Sequence, residues 1–398
     1  MLVGCDADRK DSHSLTLGAA QPIDAPPASG SNTPHLAVAA DGRLLLSWTQ
    51  RNADSSVAIR MASWDGTRWD STRTIAERRP FFVNWADFPM ITTLGNGDLA
   101  AHWLEREASG KYAYGIRVVR SRDAGASWSA PVTPHTDALP AEHGFVSLWS
   151  EGTDRLGLVW LDGRKSAMPD SVREMTIRTA NITPDGALEQ EALLDARSCD
   201  CCQTGTAMAR SGRVIVYRDR SPDEIRDIVI VRQAGGQWSA PTRVHADEWH
   251  YPGCPVNGPS VAAAGDTVVV AWYTAAHDTA RVLLARSTDG GATFAPPVRV
   301  DDGNPIGRVA VVLDAAAEPV VVWLEQRTPD EADVLARRIS GGERGAPVLI
   351  ARTAKARQSG FPRLVRRGDD LIAAWTTVTP ALQVHLARLA LTGSTARE

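Results

Sequence analysis

An all-β chain closed into a ring of seven four-stranded blades, a β-propeller, is the architecture that the sequence predicts. Three observations carry it. Short β-rich runs ending in an aromatic residue recur along the whole chain, as in "RLLLSW", "TVVVAW" and "PVVVW". Their aromatic positions are Trp48, Trp103, Trp160, Tyr217, Trp272, Trp323 and Trp375, so the repeat comes round every fifty-odd residues. No long segment has an apolar period of 3.6, which leaves strands as the regular element.

The strands of one repeat can be read in order. Each aromatic run follows a shorter apolar stretch and a polar turn, as in "HLAVAADGRLLLSW" and "SVAAAGDTVVVAW". A third strand and usually a fourth come after it, as in "RVLLARSTDGGATFAPPVRV". Four short strands in about 50 residues make a propeller blade. The last repeat, from about Ser359, has three clear strands before the chain ends. The N-terminal "SLTLGAAQPI" is expected to supply the missing one and close the ring, which removes exposed sheet edges. Residues 1–13 are assigned as a polar tether and 14–398 as one propeller domain.

Composition narrows the class of partner. The 43% apolar content supports a large core. A net charge of -4, with no basic cluster in any segment, argues against a nucleic-acid surface. The apolar runs are far too short to span a bilayer. The opening "MLVGC" has the order of a bacterial lipobox at Cys5, followed by the polar "DADRKDSHS". That order points to the bacterial envelope, with a lipid anchor as the sole membrane contact, and to an oxidising compartment. A monomer is expected.

Two turns sharpen the fold. "SRDAGASW" (Ser121 to Trp128) and "STDGGATF" (Ser287 to Phe294) both fit Ser-x-Asp-x-Gly-x-[Ser/Thr]-aromatic. The Asp accepts hydrogen bonds from turn N–H groups, Gly takes a positive φ, and the ring packs between strands. "SWDGTRW" (Ser63 to Trp69) is a shortened copy. This is the Asp-box, and the chain resembles the sialidase-like, or BNR-repeat, β-propeller superfamily. The resemblance implies a structural role for Asp123 and Asp289. Six blades, the sialidase number, is the alternative to seven.

In such a propeller the loops that enter each inner strand and those that leave each second strand share one face. The entering loops are "NWADFP", "EHGF", "SCDCCQTG", "YPGCPVNGP", "GNPIGR" and "RQSGFP". The leaving loops repeat an acid followed by an arginine. Arginine holds carboxylates through two parallel hydrogen bonds, so a mouth ringed by arginines suits a glycan or another anionic small ligand. The resemblance to sialidases implies three arginines on a sugar carboxylate, a Tyr nucleophile assisted by a Glu, and an Asp acid/base. Arg164, Arg220 and Arg327 are the candidates for the anion, with Trp85, His143 and Asn257 as further ligand contacts. Asp87, Glu142, Asp162 and Asp219 are the candidate carboxylates. The alternative for each arginine is an ion pair with an acid that ties blades together. The sialidase motif Phe/Tyr-Arg-Ile-Pro is missing, and Tyr217 takes the place of a strand Trp. Glycoside hydrolysis is therefore one expectation, and glycan binding without catalysis another.

Cys199, Cys201 and Cys202 lie on the loop entering blade 4, and Cys254 on the loop entering blade 5. Adjacent blades bring these loops together. The four thiols suit two disulfides in an oxidising compartment, which is the first expectation. A copper or zinc site, with His250 or His143 as an extra ligand, is the second, and a redox-active thiol the third. An envelope metal-binding protein and a non-catalytic interaction scaffold are thus the alternatives to a glycan-directed propeller.

Overall fold

The computed structural model describes residues 15–108, 110, 112–168 and 174–393. Cys5, with its lipobox-like surroundings, and the tether to residue 13 lie outside the described residues. Seven antiparallel sheets follow one another around a ring, so the structure is a seven-bladed β-propeller. Blade 1 consists of Ser31–Val38, Leu44–Arg51, Val57–Trp64 and Arg73–Glu77. Blade 2 has Met90–Thr93, Leu99–Arg106 and Tyr114–Ser121, with a Val118–Val132 bridge in the fourth place. Blades 3 to 7 begin at His143, Gly205, Ser260, Pro305 and Arg363.

Blade 7 closes the ring as the sequence predicts. Leu15–Leu17 pairs with the end of the last strand, Gln383–Gly393, Leu15 opposite Gly393. Gln21–Ile23 pairs further along the same strand, Gln21 opposite Arg388. Both backbone edges of that strand are therefore satisfied.

The core lies between the blades. Each boundary between neighbours holds one apolar cluster, seven clusters for seven boundaries. Leu44, Leu46 and Trp48 of blade 1, for instance, meet Ile372, Ala374 and Leu386 of blade 7. The seven aromatic positions of the repeat are all buried on second strands. Burying one such ring removes roughly 200 Å² from water, worth about 5 kcal/mol as an upper bound. An indole taken out of water needs a partner for its N–H, and the sequence supplies it two residues on, on the same strand face. Trp103 donates to Glu105 at 2.8 Å, Trp160 to Asp162 at 2.9 Å and Trp323 to Glu325 at 2.7 Å. The acids at Glu105, Asp162 and Glu325 are thus first of all indole acceptors.

The Asp-boxes are structural, as the resemblance implies. Asp123 accepts hydrogen bonds from the Ser127 N–H and hydroxyl and from the Ser121 hydroxyl. Asp289 accepts the equivalent set from Thr293 and Ser287. These bonds hold Asp123 down to about 2 and Asp289 lower still.

Candidate functional site

The seven inner strands surround a central channel with a cavity of about 450 Å³. At one end it is lined by Ala86, Asp87, Phe88, Phe145, Gln203, Phe361 and Arg363, which come from the entering loops and the first inner-strand residues. The backbone prepares this mouth. Inner strands of blades 1, 3 and 6 carry bulges near their starts, each with a residue at positive φ: Thr33, Phe145 and Arg308. A bulge re-aims side chains and terminates pairing, which frees these residues to face the mouth.

Three titratable groups meet there. Asp87 Oδ1 accepts a 2.8 Å hydrogen bond from the Phe145 N–H that the blade 3 bulge presents. Its Oδ2 lies 3.5 Å from the Tyr114 hydroxyl, which donates at 2.5 Å to Glu142 Oε1. A Cβ on Gly144 would stand 2.0 Å from Asp87 Oδ2, so only glycine fits. Burial, reinforced by the Glu142 charge, raises Asp87 well above the carboxylate range. Burial also lifts Glu142 to about 7, with the nearby Asp200 adding to it. The pair can hold and pass a proton near neutral pH. Tyr114 itself is 1% exposed and stacks on Phe82 at 3.8 Å, and burial next to two acids raises its pKa. The sequence gives no local sign of Tyr114, whose acid partners lie 27 and 28 residues away.

The cations at the mouth differ from those expected. Arg164 is held by Asp162 and Asp137, Arg220 by Glu224 and Asp200, and Arg327 by Glu331. All three are ion-paired, but with acids of their own or the adjoining loops rather than as ties to the next blade. Arg308 and Arg363 have no carboxylate partner among the described residues. Arg308 donates to the carbonyls of Ala356 and Gly360 and lies 4.6 Å above the Trp85 ring. Arg363 donates to the Pro34 carbonyl and lies 3.7 Å above Phe88. Burial pulls Arg308 down to about 10 and Arg363 to about 9, so both stay charged at pH 7. Their signal in sequence is an arginine at the start of an inner strand with no acid within four residues, in "NPIGRVAVV" and "SGFPRLVRR".

The remaining expected residues separate into two groups. Trp85 stacks on Phe361 beneath Arg308, at the mouth. Asn257 accepts the Arg308 N–H at 2.7 Å through Oδ1, and its carbonyl accepts Arg218 Nε at 2.9 Å. By contrast, Asp162 is fully buried as the Trp160 acceptor and is held low, against its burial, by Arg164 and His143. His143 is fully buried, stacked on His135 at 3.8 Å and bonded to Asp137. Asp219 is raised to about 6 by burial, in company with Asp195 and Asp227 rather than Asp87. Tyr217 is fully buried and donates to Asp195 at 2.6 Å.

The cysteines converge as expected, but no sulfur pair stands at disulfide distance, and all four are free thiols. Cys199 Sγ lies 2.9 Å from Cys202 Sγ and 3.9 Å from Cys201 Sγ. Cys254, on the blade 5 loop, reaches Cys201 across the blade boundary. No histidine shares a candidate metal group with these sulfurs among the described residues, and His143 belongs to a separate cluster with Asp137 and Asp162.

No protein-family model and no curated protein matches the chain. Solved structures do match. A protein of unknown function from Dyadobacter fermentans is similar over 95% of this chain and all of its own, at 14% identity and a TM-score of 0.56. The endosialidase of phage phi92 is similar over 97% of this chain and 70% of its own, at 10% identity and a TM-score of 0.50. The NanB sialidase of Streptococcus pneumoniae is similar over 92% and 70%, at 10% identity and a TM-score of 0.47. The fold is that of the sialidase-like propellers, and at these identities the likeness extends to the fold alone.

Proposed function

We propose that the chain binds an acidic saccharide at the mouth of the central channel. The observation that carries this reading is the pair formed by buried Arg308 and half-buried Arg363, held by backbone carbonyls and aromatic faces without a carboxylate partner among the described residues. A buried cation without a counter-ion is costly, and an incoming carboxylate repays that cost. Trp85, Phe88 and Phe361 offer apolar faces for a sugar ring beside the cations. Burial favours the protonated form of Asp87, which in that form can donate a hydrogen bond to the same ligand. Endosialidases and sialidases among the fold relatives agree with an acidic glycan, as an analogy of fold.

Binding is favoured over sialoside hydrolysis because the Tyr114 hydroxyl is enclosed between Glu142 and Asp87 behind the mouth. A nucleophile must reach the anomeric carbon, and this one faces its own acids. Calorimetric titration with sialic- and uronic-acid oligosaccharides and their neutral counterparts tests the reading. Binding of the acidic members alone, weakened at least about tenfold by Arg363→Gln, is expected. Equal binding of neutral sugars, or an unchanged affinity in Arg363→Gln, overturns it. Release of free sugar on incubation would move the protein from binder to hydrolase.

A further inference from the structure

The cysteine cluster stands apart from the saccharide reading and has its own chemistry. Cys199, Cys201 and Cys202 occupy a tight turn between the last strand of blade 3 and the first of blade 4. Their sulfurs all lie within 4.8 Å of one another. Cys199 and Cys202 are 0% and 1% exposed, while Cys254 is exposed and lies near Cys201 from the next blade, outside the three-sulfur group. This gives a closed floor of sulfur with one ligand at the solvent side, where an ion could enter.

The surroundings of Cys202 favour negative charge on its sulfur, while burial opposes it at Cys199. The Asn257 backbone N–H is directed at Cys202, where it can donate to the sulfur. Arg218 lies beside it, 1% exposed, its guanidinium spread over the carbonyls of Asn257, Arg226 and Tyr273 and its face 4.9 Å from the Trp249 ring. No carboxylate among the described residues pairs with Arg218. Around the open side, Arg226 and Arg220 are held by Glu224, and Arg220 also by Asp200. A buried arginine with only carbonyl partners leaves a positive charge beside Cys202.

We propose that Cys199, Cys201, Cys202 and Cys254 form a thiolate site for a soft d10 cation, Cu(I) or Zn(II). Thiolates select these ions, and among the described residues no carboxylate or imidazole joins the three-sulfur group. Metal–sulfur bonds of about 2.3 Å space the sulfurs of such a site about 3.8 Å apart. The Cys199–Cys201 separation of 3.9 Å already meets this, and metal entry would part Cys199 and Cys202 by about 1 Å from their 2.9 Å contact. The three close sulfurs are a trigonal set, which Cu(I) accepts, and Cys254 completes the tetrahedron that Zn(II) requires. Each ligating thiol gives up its proton to solvent, so binding releases protons and tightens as pH rises. Arg218 is a positioning residue that offsets the charge of the complex.

The test uses the full chain, fully reduced and held without oxygen, titrated separately with Cu(I) against a coloured Cu(I) chelator and with Zn(II) against a coloured Zn(II) chelator. One ion per chain is expected, with proton release measured in weak buffer. Cys202→Ser should weaken binding by at least about 100-fold, and Arg218→Gln by about tenfold. Cys254→Ser, a change at an exposed position, should spare Cu(I) and lose Zn(II). Alkylation and intact mass on the same samples count free thiols, and the thermal midpoint confirms that each variant folds. Failure of the reduced, folded chain to take up either ion overturns the site, as does an affinity unchanged in both Cys202→Ser and Cys199→Ser. Disulfides in the untreated protein that fail to bind metal once reduced would make the cluster a staple.

Discussion

The Tyr114 hydroxyl donates a 2.5 Å hydrogen bond to Glu142, and the same oxygen stands 3.5 Å from Asp87. Two acids from different blades therefore share one phenol, and both are lifted above the carboxylate range by burial.

This has a consequence for stability against pH. Glu142 holds its proton to about 7 in the folded chain, against an ordinary 4.5, so folding is favoured while it is protonated. That contribution is complete below about pH 4.5 and fades as pH rises through 7, by on the order of 2–3 kcal/mol. Asp87 acts in the same direction. The thermal midpoint of Glu142→Gln should fall less steeply between pH 5 and 8 than that of the native chain. An identical slope would show that Glu142 is ionised throughout.

Arg308 offers a different kind of test. Its cation is desolvated without an ion pair, so replacing it with Met should change stability by less than about 1 kcal/mol in either direction. Acidic-saccharide affinity should nevertheless drop about tenfold or more. Denaturant unfolding and calorimetry on one preparation separate the two effects. A large loss of stability would mean that Arg308 is chiefly a brace for the Ala356–Gly360 loop.

Two glycines with nearly the same backbone separate strain from crowding. Gly125, in the first Asp-box, has φ +90°, and an added Cβ would lie 2.6 Å from Met61 Sδ of blade 1. Gly97 has φ +89° and open space around it. Gly97→Ala should cost about 1 kcal/mol for backbone conformation alone. Gly125→Ala should cost about 2–4 kcal/mol, because Met61 must also move. Equal costs in chemical denaturation would rule out the contact as the cause.

Removing the chain through Ile23 takes away both strands that close blade 7 but keeps the Asp24 carbonyl that binds the Trp69 indole. The exposed edge of Gln383–Gly393 should then template pairing between chains. Light scattering and size-exclusion chromatography should show oligomers that the longer chain does not form. A monomeric truncated chain would mean that blade 7 tolerates an open edge.

The fold was legible because it repeats. Seven aromatics at near-even spacing, two Asp-boxes and an N-terminal strand with a partner missing at the other end specify a closed ring. The convergence of Cys254 with the Cys199–Cys202 turn was legible for the same reason, since equal positions in adjacent blades are neighbours. The candidate site at the channel mouth was harder. Acid-then-arginine pairs drew attention to Arg164, Arg220 and Arg327, yet Arg164 is neutralised by that acid and the other two by acids four residues further on. Arg308 and Arg363 carry no such pattern, and their partners are carbonyls from distant parts of the chain. Tyr114 lies in an ordinary strand sequence, and only the ring brings Glu142 and Asp87 to it.

Asn257 supports both candidate sites at once. Its N–H faces Cys202, its carbonyl holds Arg218, and its side-chain oxygen fixes the Arg308 N–H in the bulge of blade 6. If metal and saccharide bind as proposed, a shift of this residue on metal entry would be felt under the channel mouth, and a ligand that tightens the mouth would be felt at the sulfurs. Any such coupling is thermodynamically symmetric: whatever factor the metal imposes on saccharide affinity, the saccharide imposes on the metal.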